Sequence, residues 1–203
     1  MRWLSALAAF VIAALLLAAA PPNSDLKPDK LSLQGQFLIA SPDMSDPRFR
    51  ETVLVMIRHS PDGAMGVVIN RPAGEQPIAR LLEALGESSE GATGSIPVYL
   101  GGPVDLELGL VLHSDDYRRD GTRSVAAGIA MTATPEIFRD IAKNAGPKKY
   151  LLAFGYAGWA PGQLENELLH NGWFTAPLDP KLMFDEDRGS VWGKAMQRRT
   201  RDL

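Results

Sequence analysis

The segment richest in chemistry is Gly155-Tyr156-Ala157-Gly158-Trp159-Ala160-Pro161-Gly162-Gln163-Leu164-Glu165. It follows a strongly apolar run and leads into a helical pattern. Its spacing predicts a turn through three glycines whose backbone N–H groups face an anion or polar ligand, flanked by Tyr156 and Trp159. The plainer reading is that the glycines only let the chain turn tightly while Trp159 packs on the core. Neither G-x-G-x-x-G nor G-x-x-x-x-G-K-[ST] occurs, so nucleotide binding has no positive support.

A second polar exit is Asn70-Arg71-Pro72. Asn70 tolerates unusual dihedrals, and the five-donor guanidinium of Arg71 matches a carboxylate or phosphate. The structural alternative pairs Arg71 with a nearby carboxylate while Pro72 stops a strand. Gly101-Gly102-Pro103 is suited to bringing backbone close to a partner element. Glu167-Leu168-Leu169-His170 places a carboxylate and an imidazole on one helical face. A di-iron site needs two such motifs and two further glutamates, so His170 is read as a helix-end residue beside Gly172.

His59 and His113 each end an apolar run, and no G-x-S-x-G elbow is present. No catalytic residue, metal ligand or cofactor motif is therefore assigned. Asn70, Arg71, Gly101, Gly102, His113, Tyr156, Gly158, Trp159, Gln163 and Glu165 form a candidate surface for a ligand or partner. The alternative is a hydrolase or transferase in which Arg71, His113 and Glu165 converge on one cleft. Asp43, Asp46, Asp115 and Asp116 read as solvated loop charge.

These residues need a scaffold, and 203 residues with 45% hydrophobic and 22% charged side chains supply one globular domain plus an appendage. The chain has no cysteine, which excludes disulfides, thiolate nucleophiles and Cys-ligated metals. A formal charge of −3 argues against a broad basic footprint for nucleic acid, so direct contact with it is not expected.

The start of the chain differs from the rest. After Met1-Arg2-Trp3, the run from Leu4 to Ala20 contains no charged residue. As a helix it spans about 26 Å, slightly short of a roughly 30 Å hydrocarbon core. A basic start, a Leu/Ala-rich stretch and Ala18-Ala19-Ala20 match a secretory signal, although Pro21 and Pro22 hinder cleavage there. Residues 1–20 thus read as a signal-like or anchor segment and imply inner-membrane or periplasmic placement. The alternative is a misassigned start codon and a cytoplasmic protein. Residues 21–32 read as a polar linker.

From Leu33 onward short apolar runs are bounded by turns. Phe37 to Ala40 and Thr52 to Ile57 predict strands, and Ser60-Pro61-Asp62-Gly63 predicts a tight turn into a hairpin with Met65 to Ile69. Ile78, Leu81, Leu82 and Leu85 predict a helix from Pro77 to Gly86, followed by a loop to Ser95. Val98 to Leu100, Leu108 to Leu112 and, weakly, Ser124 to Met131 predict further strands, with a solvated loop over Asp115 to Arg123. Thr134 caps a second helix with Pro135 at its first position. Tyr150 to Phe154 predicts a central strand buried on both faces. Gln163 to Asn171 predicts a third helix closed by Gly172. Residues 194–203 read as a basic tail. The irregular alternation with a hairpin favours α+β.

Taken in order, these segments resemble the YqgE/AlgH family of bacterial proteins. The resemblance rests on Gly35 to Ala40 with Pro42 and Met44, on Asp46-Pro47-Arg48-Phe49, on Gly66 to Pro72, on Tyr99 to Val104, and on Gly155 to Trp159 with Pro161 to Glu165. It covers residues 33–193. It implies a single α+β domain with a split, bent mixed sheet flanked by helices. It carries over no catalytic residues. Some members carry the label of transcriptional regulators of exopolysaccharide synthesis, which implies an indirect role here, since nothing reads as a helix-turn-helix. A non-enzymatic binding or regulatory module with a protein or small-molecule partner is the expectation. Members begin close to the first strand, so residues 1–30 depart from the family.

Overall fold

The computed structural model describes residues 32–200. The apolar segment Leu4 to Ala20 and nearly all of the expected linker lie outside the described residues. Among the described residues no helix is long and apolar enough to cross a membrane.

The strands are β1 (Gln36–Ala40), β2 (Val53–Ser60), β3 (Gly63–Val68), β4 (Pro72–Pro77), β5 (Ser95–Leu100), β6 (Val104–Ser114), β7 (Arg123–Ala126), β8 (Ile129–Thr132), β9 (Tyr150–Trp159) and β10 (Trp173–Pro177). The helices are α1 (Ile78–Ala84), α2 (Glu136–Ala142), α3 (Gln163–Leu169), α4 (Pro180–Phe184) and α5 (Val191–Gln197). The main sheet order is β10-β1-β2-β3-β9-β6-β8-β7, with β5 on β9 and β4 on β5. Every pairing is antiparallel except β5 with β9, so the α+β class and the split, bent mixed sheet hold.

The split is made by β9. Its first half pairs with β5 and β6 through Leu152 to Phe154, while its second half pairs with β3 through Ala157 to Trp159. Between them Gly155 takes φ +74, a value that favours glycine. The glycines that predict a turn thus mark a kink inside one long strand, and the turn comes only at Pro161–Gly162.

Side-chain alternation then divides the core. Phe37, Ile39, Val53 and Val55 point to one face, where the two halves of the sheet meet with Leu112 and Leu151 and are closed by α4 and α5. Leu38, Leu54 and Met56 point to the other face and meet Leu164 of α3. On the second half, α1 and α2 cover Ile96, Val111 and Leu152. Each fully buried Leu, Ile or Phe contributes about 1.5–3 kcal/mol.

The hairpin across Pro61–Asp62, the apolar stripe of α1 and the central, doubly buried β9 match the sequence reading. Four local expectations are corrected. Pro72 does not stop the chain's extended path but opens β4, an edge strand whose outer side needs no N–H donor. Thr134 does not cap α2, whose N-cap is Pro135 without a side-chain bond. The left-handed residue after α3 is Asn171 at φ +56, not Gly172, with Gly172 N–H to Glu167 O closing the cap. The basic tail expected from Lys194 begins inside α5, where Ala195 is buried, and Thr200 N–H still reaches Thr175 O at 2.7 Å.

Candidate functional site

Where β9 ends, Trp159 closes the strand and α3 starts four residues later, so Gln163 and Glu167 lie one helical turn apart beside the indole. Glu167 Oε2 accepts from Trp159 Nε1 at 2.9 Å and from Trp173 Nε1 at 2.7 Å. Its Oε1 accepts from Gln163 Nε2 at 2.8 Å, and Gln163 Oε1 accepts from Ala160 N at 3.1 Å. The carboxylate is therefore fixed in one orientation by three donors from three elements. Both indoles are nearly buried, and their rings meet edge to face at 5.8 Å. Phe49 adds a second edge contact to Trp173 at 5.5 Å.

This cluster lines a cavity of about 580 Å³ that also takes in Asp43, Asp46, Arg48, Pro103, Val104, Gly158, Asn166 and His170. Arg48 grips Asp46 in a two-pronged pair at 3.0 and 2.6 Å, which holds the Asp46 carboxyl below the usual carboxylate range. The lining has three carboxylates, Asp43, Asp46 and Glu167, against one guanidinium. It combines excess negative charge with aromatic walls, a combination that attracts cations.

Val104 and Pro103 reach this rim because two backbone segments cross. Gly101 N–H donates to Phe154 O and Val68 N–H donates to Gly101 O, both at 2.8 Å, so Gly101 ties β3 to β9. Gly102, at φ +154, lies against the Tyr156 carbonyl with no room for a β-carbon. The two glycines thus bring backbone to backbone, as their types predict. Beyond the crossing, β6 bulges between Val104 and Gly109 and leaves Leu106 61% exposed.

Among the sequence candidates, Gly158, Trp159 and Gln163 share this pocket. Tyr156 packs instead on the inner core. Glu165 points away and pairs with His59, Oε1 to Nε2 at 2.8 Å. Its carboxyl lies below the usual range through its own backbone N–H and the His59 bond, against partial burial. Leu33 N–H donates to His59 Nδ1 at 3.0 Å, so the proton of the neutral ring sits on Nε2 and faces Glu165.

Asn70 and Arg71 lie elsewhere, on a separate cavity of about 370 Å³ with Arg188 and Trp192. Asn70 accepts from Val53 N and donates to Glu51 O, each at 2.9 Å. Arg71 donates to the Arg50 carbonyl, not to the carboxylate expected of it.

His113 is corrected outright as a surface candidate, because it is 0% exposed. Its Nδ1 bonds Ser114 O at 2.8 Å and its Nε2 bonds Thr132 Oγ1 at 2.9 Å. It stands opposite Tyr150, the first residue of β9, whereas His59, the partner of Glu165, stands opposite Ala64, which pairs with Trp159 at the far end. A 10-residue strand extends for up to about 30 Å. Arg71, His113 and Glu165 therefore form no common cleft. Among the described residues no group of three or more His, Asp or Glu is placed to hold a metal ion.

The site residues that sequence reasoning missed are Glu167 as an indole acceptor, Trp173, Arg48 and Phe49. The i, i+4 spacing of Gln163 and Glu167 was a readable signal; the approach of Trp173 from β10 was not.

Comparison with known proteins finds a family model described as AlgH-like that matches residues 37–203. The chain is similar to a UPF0301 protein of Afipia carboxidovorans, 43% identical over 197 residues covering 90% of this chain and 94% of that one. It is likewise similar to a UPF0301 protein of Jannaschia sp., 46% identical over 167 residues covering 81% and 87%. Among solved structures it resembles the solution structure of the AlgH protein from Pseudomonas aeruginosa, with TM-score 0.70, 38% identity and coverage of 85% and 92%. A crystal structure of a protein from Corynebacterium diphtheriae, at TM-score 0.66 and 23% identity over 88% of this chain and 92% of that one, shares the fold.

Proposed function

The chain belongs to the AlgH-like family, and for this member we propose a non-enzymatic binding or regulatory module whose recognition site is the pocket of Trp159, Trp173 and Glu167. One observation carries the reading: a carboxylate fixed by two indole N–H groups and an amide at the edge of an open, aromatic, net-acidic cavity. All three donors are spent on orienting it, which suits presentation of a fixed charge to a ligand. A general acid or base needs a proton path to a reacting atom, and among the described residues no hydrogen bond links the Glu167 carboxylate to a hydroxyl or an imidazole. The ligand class that fits is an organic cation, such as a guanidinium or ammonium group carried by a partner protein or small molecule.

The test is a titration of the protein with N-acetyl-arginine amide and with its neutral citrulline analogue, followed by tryptophan fluorescence. Saturable change with the cation, absent for the neutral analogue and lost in Glu167→Gln, supports the reading. Equal response to both compounds sinks the cation assignment. Turnover of an ester, phosphate or peptide substrate that disappears in Glu167→Gln sinks the non-enzymatic reading itself.

Membrane or periplasmic placement through residues 4–20 belongs to the same proposal. It is read from the apolar, signal-like composition of that segment. Recovery of the full-length chain only in the cytosolic fraction overturns it. Any effect on transcription is then indirect, through the bound partner.

A further inference from the structure

The second cavity carries a different chemistry, independent of the first. Arg71 and Arg188 both line it, with Glu51 at its rim, so guanidinium charge exceeds carboxylate charge there by one. Neither arginine forms an ion pair among the described residues. Arg188 is held by backbone carbonyls alone, Nε and Nη2 to Glu186 O and Nη1 to Met183 O at 2.6 Å. The neighbouring Glu186 carboxylate is occupied by Lys194. Arg71 is held by the Arg50 carbonyl, and Asn70 fixes the same loop through Glu51 O. Carbonyl oxygens orient a guanidinium without neutralising it, and each fork has five N–H donors, so each keeps donors to spare.

The rest of the wall leaves room for a ligand and competes little with it. Trp192 Nε1–H is used on Ala40 O at 2.9 Å and Ser190 Oγ–H on Asp187 O at 2.9 Å. Gly193 supplies open backbone, since a β-carbon there meets nothing within 4 Å, whereas one on Gly189 meets Asp187 Oδ2 at 3.2 Å, a carboxylate already accepting from Ser190 N–H. Two part-buried, pre-oriented guanidinium groups, neither in an ion pair among the described residues and outnumbering the one lining carboxylate, face about 370 Å³ of space and form a receptor for a compact oxyanion.

We propose that the cavity between Arg71 and Arg188 is an oxyanion-binding site for a phosphate or carboxylate group. Such a group forms charge-assisted bonds to the free donors of both forks while Trp192 walls one side.

The experiment follows the guanidinium and indole N–H resonances of the full chain by NMR during titration with sodium phosphate, sodium acetate and glycerol phosphate. Sodium chloride at matched ionic strength is the control. Saturable shifts at Arg71, Arg188 and Trp192 are expected with at least one oxyanion and not with chloride. Tighter binding of inorganic phosphate marks a free ion, and tighter binding of the ester marks a phosphoryl group carried on a larger ligand. Gly193→Glu places a competing carboxylate in the open space, on a helix that favours Glu over Gly, and should weaken binding at least tenfold with no loss of thermal stability. Arg188→Gln serves as the second variant, with the same weakening expected. Shifts equal to those with chloride, or oxyanion shifts that survive in Gly193→Glu, overturn the proposal. Neither result bears on the cation pocket at Trp159, which lies on a separate cavity.

Discussion

Gly102 and Tyr156 stand backbone against backbone: a β-carbon built on Gly102 falls within 3.0 Å of the Tyr156 carbonyl carbon and oxygen and of the Ala157 nitrogen. This crossing fastens the two halves of the sheet at the kink of β9, and it sets Pro103 and Val104 on the rim of the acidic pocket.

Gly102→Ala should therefore cost about 2–4 kcal/mol, since the obstructing atoms are backbone and cannot swing aside. The melting temperature of a domain this size should fall by roughly 4–16 °C. Gly158→Ala is the contrast, because its β-carbon meets only the Tyr156 ring, at 3.4 Å, and φ there is not positive. Equal melting temperatures for the two variants would show that the crossing does not constrain the fold.

Glu167→Ala should leave two nearly buried indole N–H groups without their acceptor. Each orphaned donor costs about 1–3 kcal/mol, so the total is at least that much. Denaturant unfolding measures the loss, and the native tryptophan emission should shift to the red as water enters. An unchanged midpoint would mean that the indoles find other acceptors.

The contrast between these two sites shows what was legible in the sequence. The stripe of Ile78, Leu81, Leu82 and Leu85, the turn at Pro61–Asp62 and the unbroken apolar run of β9 are local patterns, and local patterns were enough for the class and most elements. The Gly155 kink was misread because a glycine signals conformational freedom without saying whether the freedom serves a turn or a kinked strand. That choice is made by Gly101 and Gly102, more than fifty residues earlier in the chain. Among the site residues, Trp159 and Gln163 were legible from their position after a strong strand. Trp173 and Phe49 were not, since only folding brings β10 and the loop before β2 against α3. His113 ends an apolar run and so reads as an exit to solvent. The neighbouring strand β8, whose Thr132 bonds the ring, and Tyr117, in T-shaped contact with the imidazole at 5.5 Å, enclose it instead.

Asn171 takes the left-handed position that ends α3, and Gly172 N–H donates to Glu167 O at 2.9 Å. Asn171→Gly should be neutral or slightly stabilising, whereas Asn171→Ala should cost about 1 kcal/mol, the strain of a β-carbon at positive φ. Because the same cap holds the C-terminal turn that carries His170, the alanine variant should also weaken ligand binding in the Trp159 pocket. Thermal melts of the pair check the first point. A stable Asn171→Ala would place the cap's energy elsewhere.

Buried His113 gives the fold a defined pH response. Arg119 N–H donates to Thr122 Oγ1 at 3.1 Å and Ser114 O accepts from His113 Nδ1. The 2.8 Å Thr122–Thr132 bond then runs toward Thr132, whose hydroxyl donates to His113 Nε2. Protonating Nε2 requires the Thr132 hydroxyl to give up this donation and turn its hydrogen away from the ring. Burial holds the His113 pKa below its ordinary 6.5, with the Ser114 carbonyl and Asp116 and Asp115 opposing that shift and Arg118 assisting it. The unfolded chain, with its imidazole near 6.5, then binds a proton before the folded one does. The contribution to stability is fully present above about pH 6.5 and is lost as pH falls below that value toward the lower folded pKa. Denaturant midpoints measured between pH 8 and pH 5 should decline on the acid side, and His113→Gln should flatten that decline whatever its effect on absolute stability. An identical slope in the variant would assign the response to another group.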